Sequence, residues 1–177
     1  MNLETVLLEY LLNRSHPDHD LNSRRSKDRN SNSKYGFGAW FHPSFKVELM
    51  KGLHDFTAGS TRFKLALFKA TASGSGTFGA ATTNYSQMGS DELPTATGYT
   101  QLGKLLTSVT PTADGTTAIT NFSAVTWTSS SFTTSGGLIY DTGDSNSACA
   151  VLSFGGDQTV SSGDFQIQFP TASAAAA

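Results

Sequence analysis

The sequence predicts a mainly β protein: a single β-sandwich or jelly-roll-like domain of about seven or eight strands, preceded by an N-terminal helical and extended arm. Three observations carry this expectation. Ser and Thr make up about a quarter of the 177 residues, beside 17 Gly and only 15% charged side chains, a composition suited to short strands and tight turns. From Arg62 onward the apolar residues recur with period two, as they must on strands with one buried face. Charge divides the chain: residues 1–70 hold 11 of the 12 Lys/Arg and a net charge of +4, and residues 71–177 carry −6. Such asymmetry marks an arm joined to a body; the arm, a short helix plus a basic flexible segment, is expected over residues 1–43, and a short helix followed by the β-sandwich over 44–177.

Within the arm, Leu3, Val6, Leu7, Tyr10 and Leu11 share one helical face, with Glu4 and Glu9 off it. Arg14 to Lys34 follows, containing Arg24, Arg25, Lys27 and Arg29 among Ser, Asn and Asp. Little there can offset the entropy of ordering, so this stretch reads as a flexible, solvated linker. Tyr35 to Phe41 reopens apolar structure with Trp40 and Phe41. Phe45, Leu49 and Leu53 then space a short amphipathic helix over Ser44 to Leu53, just after Pro43, with Gly52 and Gly59 at its exit.

The first strand falls at Phe63 to Phe68, and Thr71 to Met88 reads as a long Gly/Ser/Thr/Ala loop. Strands are expected at Leu102 to Thr110 and Thr116 to Phe122, separated by the turn Pro111 to Gly115, whose Asp-Gly pair signals a hairpin. Further strands are expected at Ala124 to Phe132, Gly137 to Tyr140, Ala148 to Phe154 and Asp164 to Phe169. The last has Phe165, Ile167 and Phe169 inward and Gln166 and Gln168 outward.

Several function classes lose ground at once. A single cysteine excludes an internal disulfide framework, and a net charge of −2 argues against nucleic acid as a required partner. No run approaches the roughly 20 apolar residues of a membrane span, and Glu4 and Glu9 interrupt Leu3 to Leu12 in a way foreign to a signal peptide. The Ala-rich end is expected to continue past Ala177.

Candidate chemistry is thin. His16-Pro-Asp-His-Asp20 offers metal-type donors, but Pro17 prevents helical presentation and the segment lacks a scaffold. Asp141-Thr-Gly143 matches the aspartic-protease tripeptide, yet those enzymes pair two carboxylates, and a strand ending in a turn explains the same residues. His54-Asp55 resembles half of a triad, without a Gly-x-Ser-x-Gly elbow to complete it. Cys149 sits in an apolar strand as core packing, and Gly74-Ser-Gly76 lacks the context of a phosphate loop. Asp141, Asp144 and Asp157 could gather calcium between loops, but their spacing is not an EF-hand. No catalytic residue, cofactor or metal is therefore expected.

Three stretches go further: Phe45 to Phe56 followed by Phe63 to Phe68; Gly98 to Leu105; and Gly137 to Asp141 with Ala148 to Asp157 and Gly163 to Phe169. In this order, from about Phe45 to Phe169, the chain resembles small virion structural proteins of tailed bacteriophages. The resemblance implies a short helix before an all-β body and a non-enzymatic role in the particle. Residues 1–40 fall outside it, as a virus-specific anchoring arm or a misassigned start.

The expected function is a capsid decoration or cement protein whose partners are the major capsid protein and copies of itself, with a trimer as the expected symmetry. Shell contact is expected from Leu3, Leu7, Tyr10, Leu11, Arg24, Arg25, Lys27, Arg29, Trp40 and Phe41. A tail or tail-fibre component touching host glycans is the alternative. An enzyme built on Asp141 and a secreted adhesin module rank below it.

Overall fold

The computed structural model describes residues 38–41, 43–57, 59–72 and 78–169. Among them the strands are β1 (Gly38–Phe41), β2 (Phe63–Lys69), β3 (Lys104–Leu105), β4 (Ser108–Asp114), β5 (Thr117–Phe122), β6 (Val125–Asp141) and β7 (Ser147–Ile167). One α-helix, α1, covers Pro43–Met50, and a 3-10 helix covers Tyr85–Asp91. The protein is mainly β, with a five-stranded antiparallel sheet ordered β1-β7-β6-β2-β3 and a separate β4-β5 hairpin.

Proline begins α1, where its missing N–H costs nothing and its fixed φ suits the helix. The helix stops three residues earlier than the expected Leu53. Gly52 takes φ +71°, its N–H reaches the Leu49 carbonyl and the Leu53 N–H reaches the Glu48 carbonyl. These two bonds form a Schellman motif, which turns the chain sharply and leaves Leu53 outside the helix.

β2 is buried on both faces. Phe63, Leu65 and Leu67 join one core with Phe45, Phe56, Phe122, Trp127 and Phe165; Ala66 and Phe68 join a second with Phe78, Met88, Leu138 and Tyr140. The segment expected as a long loop supplies part of that second cover. Phe78 stacks on Phe68 with ring centroids 4.4 Å apart, and Tyr85 to Met88 lie in the 3-10 helix, entered through an Asn84–Gln87 capping box.

The β4-β5 hairpin turns on two residues, Gly115 and Thr116, between the paired Asp114 and Thr117. The Asp-Gly signal is real, but Pro111 belongs to the strand and not to the turn. It sits where the pairing register shifts between Val109 and Thr112, a position that tolerates a missing N–H. Leu102 and Gly103 have φ +73° and +67°, so the strand expected from Leu102 starts only at Lys104 and breaks again before Ser108.

The larger revision concerns β6 and β7. The strand expected at Ala124 to Phe132 begins at Val125 and joins Gly137 to Tyr140 in one 17-residue strand, and the one expected at Asp164 to Phe169 ends at Ile167 and joins Ala148 to Phe154 in one 21-residue strand. Four register shifts interrupt their pairing. At one of them Tyr140 pairs Ala148 while Ile139 pairs Ala150, so Cys149 is the extra residue of a bulge. Such insertions reset the inward–outward alternation and make a continuous strand read as two.

Candidate functional site

A cluster of charged side chains forms where α1, the entry to β2 and the β6-β7 turn meet. The Schellman motif that ends α1 holds Glu48 beside the emerging His54. His54 lies against the Phe45 ring, centroids 4.8 Å apart, and its side chain is fully buried. Asp141, the last residue of β6, is also fully buried. Its Oδ1 accepts from Arg62 Nε at 3.0 Å and from the Gly143 N–H at 2.7 Å. Its Oδ2 accepts from Arg62 Nη2 at 2.8 Å and lies 2.9 Å from His54 Nδ1. Four donors meet the roughly four lone-pair positions of one carboxylate. Because an ionised carboxylate only accepts, Nδ1 of His54 carries a proton.

The other ring nitrogen, Nε2, lies 3.2 Å from Glu48 Oε2. Burial alone would lower the His54 pKa, but hydrogen bonds and charge from Asp141 and Glu48 outweigh it and hold the imidazole above its ordinary value. Burial likewise opposes ionisation of Asp141. The donors His54, Arg62 and Gly143 outweigh it and keep that carboxyl below the usual range.

The tripeptide Asp141-Thr-Gly143 thus has a structural account. Gly143 donates to Asp141, and a Cβ built there would lie 2.1 Å from Arg62 Nε, so the residue must be small for the guanidinium to reach its carboxylate. Thr142 anchors the turn, its N–H and hydroxyl both donating to the Arg62 carbonyl. In the His54-Asp55 pair the partner is not the sequence neighbour. Asp55 is exposed and accepts from the N–H and hydroxyl of Thr57. Cys149 is buried, and desolvation holds its thiol well above the ordinary pKa. Asp157 accepts from the Thr71 N–H. Among the described residues, the donors that come within metal-binding reach of one another are Glu48, His54 and Asp144.

A second buried acid, Glu92, accepts from the hydroxyls of Tyr85 and Tyr99 and from the Leu102 N–H. Tyr140, pushed up to about 12 by burial and by Glu92, donates to the Leu102 carbonyl. These contacts pin the left-handed Leu102-Gly103 turn. An apolar cavity of about 30 Å³, lined mainly by Phe45, Phe56, Phe122, Ile139, Cys149 and Phe169, lies in the first core.

Of the expected contact residues, Leu3, Leu7, Tyr10, Leu11, Arg24, Arg25, Lys27 and Arg29 lie outside the described residues. Trp40 and Phe41 belong to β1, whose backbone pairs with Val151 and Ala150 of β7, so the sheet takes in part of the segment assigned to the arm. Sequence reasoning missed Val47 and Met50, which are 46% and 81% exposed on α1, and Leu53, expected on the apolar face of that helix, is 40% exposed beyond its end. A spacing of three residues from Val47 to Met50 to Leu53 was the available signal. No described helix is long and apolar enough to cross a membrane.

The charge cluster predicts a pH profile. In buffer stripped of metal ions, His54 contributes stability fully below its unfolded pKa of about 6.5. That contribution is lost as pH rises from there through the higher folded value. Asp141 behaves oppositely: its contribution is present above about pH 3.9 and is lost as pH falls toward the lower folded value. Thermal unfolding across this range is expected to show a decline on each side, and Glu48→Gln is expected to flatten the alkaline one. An alkaline limb identical in Glu48→Gln would show that Glu48 does not contribute to it.

Comparisons with protein-family models, with curated proteins and with solved structures return no match to this chain.

Proposed function

We propose that this chain is a non-enzymatic virion structural protein, a decoration or cement protein bound to the outside of a capsid. The observation that carries the non-catalytic part is the state of Asp141. The carboxylate with the best catalytic pedigree in the sequence is fully buried, and its acceptor positions are taken by Arg62, His54 and Gly143. A protease-type carboxylate instead shares a proton with a second carboxylate and faces substrate. Asp141 ties a turn to the entry of a strand.

The particle part rests on the resemblance of Phe45 to Phe169 to virion proteins of tailed phages, and on the surface that α1 offers. Val47, Met50 and Leu53 extend the apolar character of the arm sequence onto the body. Burying such side chains against a shell contributes about 1.5–3 kcal/mol each when complete, and repetition on a lattice multiplies the effect through avidity.

Quantitative mass spectrometry of purified particles tests the reading. Copy numbers comparable to the major shell protein, on intact heads, are the expected result. A handful of copies on tails would move the protein to the tail, and absence from particles would remove the proposal.

A further inference from the structure

We propose that Glu48, His54 and Asp144 form a binding site for a divalent cation of the zinc class, which staples the end of α1 to the β6-β7 turn. One donor atom from each of the three residues lies within 4.8 Å of the other two. His54 is the anchor. Its ring is fully buried, and its Nδ1–H is committed to Asp141. Nε2 is thereby left to face the Glu48 carboxylate at 3.2 Å. Two bare acceptors do not meet at that distance, so the geometry calls for a proton, carried by Nε2 or by the Glu48 carboxyl, or for a metal ion.

Two further observations favour a metal site over a proton alone. The first is the pairing behind the ring. A histidine that ligates through one nitrogen nearly always donates the other N–H to a carboxylate, a backbone carbonyl or water, which fixes its tautomer and raises its basicity. Asp141 occupies that outer position and is itself oriented by the Arg62 guanidinium and the Gly143 N–H. The second is charge. Glu48, Asp141 and Asp144 bring three negative charges, and Arg62 brings one positive charge. A doubly charged ion on a neutral His54 balances them, whereas an imidazolium leaves one negative charge over.

The dimensions suit zinc. A tetrahedral ion with bonds of about 2.0–2.2 Å places its ligands about 3.4 Å apart. Nε2 and Glu48 Oε2 already stand 3.2 Å apart, so closure falls to the half-buried Asp144 side chain. One nitrogen and two carboxylates leave room for water and suit zinc better than calcium or magnesium, which favour six or more oxygens. The function is mechanical: the three ligands come from α1, from the loop behind it and from the β6-β7 turn, so a bound ion would clamp the apolar face of α1 onto the sheet.

The test uses the full chain carrying His16→Ala and His19→Ala, which removes the other histidine pair able to bind zinc. The protein is stripped with EDTA and titrated with zinc chloride by calorimetry, with thermal unfolding in parallel. One zinc per chain is expected, with Tm rising by about 5–10 °C at free zinc a hundredfold above Kd. Magnesium chloride should leave Tm unchanged. Glu48→Gln and Asp144→Asn are each expected to weaken binding on the order of tenfold or more. Asp144→Asn, which removes no side-chain hydrogen bond found among the described residues, should leave the metal-free Tm within about 2 °C of the parent. Absence of zinc binding, or unchanged affinity in both single variants, would overturn the site.

Discussion

Asp141→Ala is expected to destabilise the protein by about 3 kcal/mol, measured by urea unfolding in the presence of EDTA at neutral pH. Removing one partner of a buried ionic cluster costs about 3–5 kcal/mol because the remaining charges lose their compensation. The lower end applies here for two reasons. Arg62 is 29% exposed, so its guanidinium can recover water, and it also donates to the Leu53 carbonyl. His54 keeps Glu48. Asp141→Asn preserves shape but turns an NH2 toward a set of donors, and about 2 kcal/mol is expected from the groups left without an acceptor. A marginally stable domain has about 5–15 kcal/mol in total, so either change is large. Were Asp141→Ala to unfold within 1 kcal/mol of the parent, the clamp would not be structural and the case against catalysis would lose its main support.

Gly103→Ala is the second large effect expected. Gly103 has φ +67°, and a Cβ there would sit 2.1 Å from the Leu65 carbonyl oxygen and 2.6 Å from Ala66 Cα. Both contacts are with the backbone of β2, an interior strand buried on both faces, so no flexible side chain can yield. A left-handed alanine costs about 1–2 kcal/mol, and forced overpacking adds about 1–3 kcal/mol. Gly115 supplies the control. It has φ +59° at the tip of the β4-β5 hairpin with nothing within 4 Å of its Cβ position, so Gly115→Ala should show the conformational part alone. Chemical denaturation of the two variants separates the contributions, and equal losses would refute the steric account.

What could be read from the sequence was whatever repeats locally. Phe63, Leu65 and Leu67 announced β2, Pro43 announced the start of α1, and Phe165 and Ile167 fall inward with Gln166 and Gln168 outward as their alternation requires. Continuity was lost where bulges shift the alternation, as at Trp127/Ser130 and Thr134/Gly136, because a period-two pattern cannot count an unpaired residue. The site was legible only in fragments. His54 and Asp141 each drew attention, but 87 residues separate them, and no local pattern encodes a contact that the strand order creates. Asp55 stood next to His54 in the chain and so looked like its partner, while Glu48 and Arg62 carried no motif at all. The second cover over Ala66 and Phe68 was hidden for a related reason. Its aromatic and methionine anchors are scattered through a stretch whose Gly and Ser content reads as loop.

The strand order has a temporal side. At the middle of the sheet lie β6 and β7, whereas β1 and β2 were made earlier and must wait for them: Gly38 pairs with Ser153, and Phe63 with Asp141. As the polypeptide leaves the ribosome, the amino-terminal strands therefore emerge before the template on which they align. Pairings so remote in sequence are slow to find, because the intervening chain must close first. Once the tight turn after Asp141 brings the two long strands together, β1 and β2 have the strands they pair with. The linkage that anchors that turn in the finished molecule thus stands at the gate of its assembly.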